Sequence, residues 1–139
     1  MRLTRKQTKG RNVTKINAFL QTLKKGKRKV GPVTHELKCW ASVFSEKWHN
    51  KKNWEIRLND RNYKIGDILI EREFFPGANN GLGAFGTDEI HEEVIYILNG
   101  GFGLQPGFII MSTRQIKRVC YRSGKRIEVT TPLNRYENP

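Results

Sequence analysis

The sequence predicts an α+β protein that is mainly β. Short runs in which apolar and polar residues alternate, as at 53–59 and 67–74, are the pattern of half-buried strands. Glycine, asparagine and proline turn signals separate these runs, and Ser-Gly-Lys at 123–125 is typical of a hairpin. With 139 residues, three tryptophans and seven phenylalanines, the chain has material for one core. We expect six or seven short strands with one or two helices.

Each element follows from a local pattern. Residues 40–48 place Trp40, Phe44 and Trp48 on one side of a short helix. In the strand that follows, Trp54 and Ile56 alternate with polar residues. Further along, Val94, Tyr96 and Leu98 are expected on one side of a strand at 90–98, and residues 76–86 are expected to form a loop. The predicted strands are 33–39, 53–59, 67–74, 90–98, 108–112, 116–121 and 126–131.

The positive charge is concentrated at the two ends of the chain. The net charge is +13, yet residues 1–30 contain eleven bases and no acid, and residues 31–111 contain more acids than bases. Concentrated positive charge attracts phosphate backbones and releases their counterions. A solvated tail that only aids solubility and an anionic membrane surface remain alternatives. We divide the chain into a basic tail with an amphipathic helix (1–30), a central domain (31–112) and a basic hairpin extension (113–139).

The basic N-terminal segment contains a helical pattern. Apolar residues recur at helical spacing in 12–25, from Val13 to Leu23, and a basic linker follows them. The stripe is expected to dock on the domain or on a partner. The bases expected to contact phosphates are Lys24, Lys25, Lys27, Arg28 and Lys29.

Composition limits the compartment and the cofactors. No apolar run approaches the length of a membrane helix, and the basic N-terminus lacks the apolar stretch of a signal peptide. Cys39 and Cys120 have neither the number of a disulfide framework nor the spacing of a zinc site. We therefore expect a cytoplasmic protein with reduced thiols, no metal, no cofactor and no membrane partner; the oligomeric state stays open.

The central domain carries motifs of a known family. Thr-His-Glu-Leu-Lys at 34–38, Lys-Lys-Asn-Trp-Glu-Ile-Arg-Leu-Asn-Asp-Arg-Asn-Tyr at 51–63 and Gly-Asp-Ile-Leu at 66–69 resemble the ASCH domain of the PUA-like superfamily. The branch most similar is a phage and bacterial one labelled domain of unknown function 3850. The resemblance covers about residues 33–112. It implies a PUA-like pseudo-barrel and an RNA-related role.

Polar residues of these motifs are the candidate ligand-binding groups. The forked donors of Arg57 suit a phosphate or a base edge, and Glu55 can accept from an exocyclic amine or fix Arg57. Trp40 or Tyr63 offers a stacking surface for an unpaired base. For Glu55 and Arg57, a purely structural ion pair is the alternative to ligand binding. For His35, the alternative is a structural role in the core. The central candidate residues are His35, Lys38, Trp40, Lys52, Glu55, Arg57, Asn59 and Arg61.

An enzyme is the first rival. Some small ASCH proteins hydrolyse acylated cytidine with a motif that resembles Gly-x-Lys-Thr-x-Thr-x-Arg. Lys52 and Arg57 are present here, but Asn53 and Glu55 stand where that motif has threonines. A carboxylate cannot replace an activated hydroxyl nucleophile, although Glu55 as a base with Lys52 beside it could activate water. The sequence leans against catalysis.

A phage-type protein that binds and modulates a host protein or ribonucleoprotein is the second rival, because the size and the basic ends allow it. The favoured hypothesis is a non-catalytic, cytoplasmic nucleic-acid-binding protein whose partner is RNA. In it the central cleft gives selectivity and the basic ends give general affinity. If a phage encodes the chain, the compartment is the host cytoplasm.

Overall fold

A computed structural model describes residues 31–131, and these form one curled β-sheet with one helix packed on it. The predicted class, α+β and mainly β, is confirmed. The elements are β1 (Thr34–Trp40), α1 (Ala41–Trp48), β2 (Trp54–Leu58), β3 (Ile68–Phe75), β4 (Ala84–Leu98), β5 (Phe108–Arg122) and β6 (Lys125–Thr130), with a 3-10 turn at Asn79–Gly81.

The order of strands in the sheet is β1-β3-β4-β5-β2, and β6 also pairs with β5. The β1–β3 pair is parallel and the other pairs are antiparallel. Strand β5 has β4 along one side, whereas β2 and β6 share its other side. The two motif-bearing strands, β1 and β2, therefore lie at opposite ends of the strand order.

Strands β4 and β5 are longer than the sequence pattern predicts. Strand β4 begins at Ala84 rather than near residue 90, and β5 runs through the interval expected between two strands. The polar residues of that interval stay extended because they pair with β4, as in Glu92↔Gln115 and Glu93↔Arg114. A long-range ladder thus overrides a local pattern that lacks apolar alternation.

A bulge changes which side chains of β4 face inward. The pairing with β5 shifts between Val94 and Tyr96. Val94 is fully buried, Tyr96 is 56% exposed, and Ile97 packs against the core instead. The prediction that Val94, Tyr96 and Leu98 form one side is therefore wrong, because one extra residue reverses the alternation beyond it.

The interior holds two apolar clusters with charged residues along the same strand faces. In β4, Glu92 lies between Ile90 of one cluster and Val94 of the other, and in β3 Glu71 follows Leu69 on the same face. The larger cluster comprises Leu37, Tyr63, Leu69, Val94, Ile109 and Met111, and the smaller comprises Cys39, Phe44 and Ile90.

The Gly-Asp motif shapes the entry to β3. Gly66 has a φ of +93°, a conformation that L side chains rarely adopt. The Asp67 carboxylate then accepts from the backbone N–H groups of Val33 (3.1 Å) and Lys64 (3.0 Å). Its Oδ2 also lies 2.8 Å from Nε2 of His35, which is buried. Asp67 therefore shapes the turn that leads into β3.

The predicted amphipathic helix at 12–25 and the bases Lys24 to Lys29 lie outside the described residues, as does the end of the chain from residue 132. Within residues 31–131, no helix combines the length and the apolar character that crossing a membrane requires.

Candidate functional site

Two arginines join the sheet edge at β1 to the region of β2. Nη2 of Arg57 donates to the carbonyl of Lys38 at 2.8 Å, and Nη1 of Arg61 donates to the carbonyl of Glu36 at 2.7 Å. Among residues 31–131, strand β1 pairs with β3 alone, so its other edge would otherwise present unpaired carbonyls. These guanidinium groups satisfy that edge and fix the surface between β1 and β2.

The first of two pockets on this surface is called here the aromatic pocket. It has a volume of about 350 Å³. Trp40 and Trp54 are among its lining residues and are 59% and 47% exposed, which is unusual for side chains of this size. The lining residues are Lys38, Cys39, Trp40, Val43, Lys52, Trp54, Glu55, Ile56 and Arg57.

Lys52 contacts two lining residues of the aromatic pocket, Trp54 and Glu55. Its Nζ lies 4.3 Å from the ring centroid of Trp54 and donates to the Trp54 carbonyl at 2.8 Å. The same ammonium lies 3.2 Å from Oε1 of Glu55. Lys52 therefore holds the tryptophan ring in place and brings a positive charge to the pocket.

The second pocket, called here the cationic pocket, has a volume of about 270 Å³ and shares Lys38 and Arg57 with the first. Four cationic side chains and a single acidic one line it. Its lining residues are Glu36, Leu37, Lys38, Arg57, Arg61, Arg72 and Phe85.

Aromatic rings hold two of these cations. Lys38 and Arg72 lie directly opposite each other in the β1–β3 ladder. The Arg72 guanidinium lies 4.3 Å from the ring centroid of Phe85, and Nζ of Lys38 lies 4.7 Å from that of Phe74. The ring of Phe74 contacts Gly83 so closely that an added Cβ would lie 2.2 Å from it. The cations therefore rest on a packed aromatic base.

A buried charge cluster lies beneath the aromatic pocket. Lys47 of α1 is only 1% exposed, and its Nζ lies 2.5 Å from Glu92, 2.8 Å from Glu55 and 3.7 Å from Glu71. Three strands thus direct carboxylates at one helix ammonium. We use the name buried charge cluster for Lys47, Glu55, Glu71 and Glu92.

Neighbouring side chains complete the bonding of this cluster. Thr113 donates to Oε2 of Glu92 at 2.5 Å, and Nε of Arg57 donates to Oε2 of Glu55 at 3.1 Å. Nη2 of Arg57 also reaches Glu71 at 3.5 Å. Oε1 of Glu71, in contrast, is buried without a hydrogen-bond partner. Both oxygens of Glu55 are therefore engaged, whereas Glu71 is only partly satisfied.

The charges of the cluster set its protonation. Burial alone would lower the pKa of Lys47, but the three surrounding carboxylates outweigh it and raise that pKa. Burial likewise favours neutral Glu55, yet the cations Lys47, Lys52 and Arg57 hold its pKa below the usual value. Lys47 and Glu55 are thus an ion pair at neutral pH.

Glu71 and Cys39 retain their protons at neutral pH. Burial, followed by the negative charge of Glu55, raises the pKa of Glu71 to about 8. Burial and the charge of Glu71 raise the pKa of the Cys39 thiol to about 12. A thiol in this state is neither a nucleophile nor a good metal ligand.

A metal ion does not suit this cluster. Cys39, Glu55 and Glu71 offer ligand atoms within 4.8 Å of one another. However, a divalent ion there would lie beside the Lys47 ammonium, which already contacts both carboxylates, and would require the thiol to lose its proton. The Lys47 ammonium already occupies the position of a cation among these side chains.

The structure gathers six of the eight central candidate residues around the two pockets. Two others lie elsewhere: His35 is inside the domain, bonded to Asp67, and the side chain of Asn59 accepts from the Tyr63 N–H beside a third pocket. The expectation that His35 lines the cleft is wrong, since its strand position faces inward. The six lining residues are Lys38, Trp40, Lys52, Glu55, Arg57 and Arg61.

Sequence reasoning missed several residues of the site. Leu69, Ile90 and Val94 alternate along their strands in a pattern that predicts apolar side chains at positions 71 and 92. The charged residues Glu71 and Glu92 at these buried positions were the signal that the sequence offered. No comparable signal marks the lysine of α1, because surface helices commonly carry lysines. The missed residues are Lys47, Trp54, Glu71, Arg72, Phe85 and Glu92.

Comparison with known proteins gives the chain relatives but no activity. An uncharacterized 12.9 kDa protein in the GpA 3'region of Escherichia phage P2 is 43% identical over 47 residues. That match covers 34% of this chain and 43% of the phage protein. The family described as Domain of unknown function (DUF3850) matches residues 34–113, which include both pockets and the buried charge cluster. The chain belongs to this family.

Proposed function

We propose that this protein binds single-stranded nucleic acid, RNA in particular, on the surface formed by the two pockets, without catalysing a reaction. One observation carries the proposal: exposed tryptophans and cations without carboxylate partners line two adjacent pockets that share Lys38 and Arg57. The basic ends of the chain add affinity that does not depend on base sequence.

The tryptophans suit unpaired bases. Each base has a flat π-face, and stacking on an aromatic ring contributes about 1–3 kcal/mol per base. Trp40 and Trp54 expose about half of their surface in a soluble domain, where rings of this size are normally covered. Bases within a duplex are already stacked, so this surface favours single strands.

The cations suit the phosphates that accompany those bases. Lys38, Arg61 and Arg72 have no carboxylate at salt-bridge distance among residues 31–131, unlike Lys52 and Arg57. A cation whose charge is not neutralised by a carboxylate remains available to an external anion. Because Lys38 and Arg57 border both pockets, a base in one pocket leaves its phosphate near the other.

Glu55 has a supporting role in this proposal. Its Oε1 contacts Lys47 and Lys52, and its Oε2 accepts from Arg57. This carboxylate is buried and both of its oxygens already contact cations, so Glu55 orients Arg57 and Lys52 rather than binding the exocyclic amine of a base. Its low pKa keeps it ionised for this purpose.

The fold that we propose for this surface is the PUA-like pseudo-barrel of ASCH domains. The support is the set of motifs at 34–38, 51–63 and 66–69 together with a curled sheet whose outer strands are linked by Arg57 and Arg61. A determined structure of a family member, superposed on known PUA-like domains, tests this assignment.

Hydrolysis is the second candidate, because Lys52 lies 3.2 Å from Glu55 at the floor of a pocket. The cations that surround Glu55 keep its pKa low, which makes it a weak general base. The geometry therefore ranks hydrolysis below binding. Release of free cytidine from acylated cytidine, lost in Lys52→Ala and in Glu55→Gln, would reverse this order.

The proposal is tested by fluorescence anisotropy of the full chain with labelled single-stranded RNA, duplex RNA and duplex DNA at two salt concentrations. We expect single-stranded RNA to bind most tightly. The double variant Trp40→Ala/Trp54→Ala should remove this preference. Neutralising Lys24, Lys25, Lys27, Arg28 and Lys29 to glutamine should weaken binding to all three and reduce the salt dependence.

Phe102→Ala is the matched control, because Phe102 is 94% exposed and lines neither pocket. Its affinities should equal those of the wild type. Equal affinity for the three nucleic acids, unchanged in the double tryptophan variant, would contradict the proposal. Capture of a single host protein after nuclease treatment, without RNA binding, would favour the host-protein hypothesis.

A further inference from the structure

We infer that the cationic pocket takes a terminal phosphate monoester, so that the protein recognises a phosphorylated end of a nucleic-acid strand. This inference rests on the proposed function and names the part of the ligand that the pocket selects. Four observations carry it: charge in excess of one phosphodiester, like charges placed opposite each other, fixed cationic heads and the size of the pocket.

The charge of the pocket exceeds what an internal phosphate needs. Lys38, Arg61 and Arg72 lack a carboxylate at salt-bridge distance among the described residues, and Glu36 is the one acid in the lining. An internal phosphodiester carries one negative charge, whereas a phosphate monoester carries about 1.5 to 2 at pH 7. A terminal phosphate therefore matches the unpaired charge better.

Lys38 and Arg72 are like charges at paired positions of the parallel β1–β3 ladder. They face each other in the β1–β3 ladder, and like charges directly opposite each other destabilise a sheet. Glu89 is the partner of Arg72 in β4, but its carboxylate contacts His91. A dianion bound beside the two cations would neutralise the repulsion between them.

The cationic heads are fixed before any ligand arrives. Arg61 is held by its bond to the Glu36 carbonyl (2.7 Å), and Arg72 lies on the ring of Phe85 (4.3 Å). Holding these groups in place reduces the conformational entropy that binding would otherwise cost. Guanidinium groups also match the oxygens of a phosphate with paired donors.

The size of the pocket agrees with one group at the end of a chain. A volume of about 270 Å³ holds a phosphate and part of its sugar, and the neighbouring aromatic pocket of about 350 Å³ holds the attached base. Lys38 and Arg57 border both. A 5′ phosphate and a 3′ phosphate carry the same charge and the same oxygens, so either one suits the pocket. The experiment therefore tests each end separately.

The test compares three single-stranded RNA oligonucleotides of one sequence, carrying a 5′ phosphate, a 3′ phosphate or neither, with the full chain. We expect one phosphorylated end to bind about tenfold more tightly than the unphosphorylated strand. Arg72→Gln and Arg61→Gln should each reduce this advantage to less than about twofold. Thermal unfolding of each variant checks that it is folded, and Arg72 is the stricter case because its side chain makes no hydrogen bond within residues 31–131 and contacts the Phe85 ring instead.

Arg122→Gln is the matched control: Arg122 is an exposed arginine that, like Arg61, donates to a backbone carbonyl, but it lines neither pocket. It should weaken all three oligonucleotides equally and keep the advantage of the phosphorylated end. Tight binding of all three with equal affinity overturns this inference and leaves the proposed function standing. Failure of every oligonucleotide to bind overturns both.

Discussion

The inner and outer faces of the strands at this site both carry charge, but the charges have different partners. On the inner face, Lys47 contacts three carboxylates and is almost inaccessible to water. On the outer face, Lys38 and Arg72 contact aromatic rings and no carboxylate among the described residues. Arg57 bonds to both regions, through Glu55 and the Lys38 carbonyl, and Lys52 contacts both Glu55 and Trp54.

The difference separates a structural role from a binding role. A buried charge is tolerated when it is paired, and the buried charge cluster is paired internally and shielded from water, so it is poorly placed to bind a ligand. An exposed cation without an anion costs the folded protein little free energy, because water solvates it. The two groups should therefore respond differently to mutation: the inner one in stability and the outer one in affinity.

The largest expected effect is on Lys47. Lys47→Met leaves the buried carboxylates of Glu55 and Glu92 without their central cation, and breaking a buried network in this way costs about 3–5 kcal/mol. The free energy of unfolding from urea denaturation measures it. Lys51→Met, which removes an exposed lysine nearby, is the control and should change stability by less than about 0.5 kcal/mol. Equal small losses in both variants would show that the cluster is not needed for folding.

The next effect is a dependence of stability on pH. The pKa of Glu71 is raised in the folded state to about 8, so the folded protein binds more protons than the unfolded chain between about pH 4.5 and 8. The stabilising contribution is complete below this window and is lost as the pH rises through it, by a few kcal/mol at most.

Urea denaturation at pH 5, 6.5 and 8 measures this slope. Glu71→Gln, which keeps the shape and removes the titration, should flatten it and be more stable than the wild type at pH 8. Glu36→Gln, at an exposed position, should leave the slope unchanged. A wild-type slope that persists in Glu71→Gln would assign the pH dependence to another group.

A smaller change, in affinity alone, is expected on the outer face. Trp54→Ala should weaken binding of single-stranded RNA by about 1–3 kcal/mol, because one stacking surface is lost. The free energy of unfolding should change by less than about 1 kcal/mol, since the ring is half exposed. Anisotropy titrations beside urea denaturation separate the two quantities. A loss of stability without a loss of affinity would make Trp54 a structural residue.

The smallest effect concerns the link between the sheet edges. Arg61→Ala removes a charge-assisted hydrogen bond to the Glu36 carbonyl. We expect the free energy of unfolding to fall by about 1 kcal/mol or less. Hydrogen exchange should become faster in β1 and stay unchanged in β6. The same substitution at Arg122 tests whether removal of any exposed arginine has this result.

Much of the fold follows from the sequence, and less of the site does. Alternation predicted β2 and β3 within one residue at each end, but Ala84–Leu98 and Phe108–Arg122 were cut short because their polar stretches become strand only by pairing with each other. A candidate set at one cleft could be predicted from strand and motif positions. Arg72 and Phe85 could not, since β3 and β4 approach β1 only in the folded sheet.

The sequence by itself determined the strand alternation, the segregation of positive charge and the family motifs, because each depends on neighbouring residues alone. Only the tertiary structure decided which face of β2 is buried. Its alternation offers Trp54, Ile56 and Leu58 as the apolar side, yet Glu55 is inside, opposite the buried Met111 of β5. That choice is possible because Lys47 arrives from α1 to neutralise Glu55, and it leaves the tryptophan on the surface.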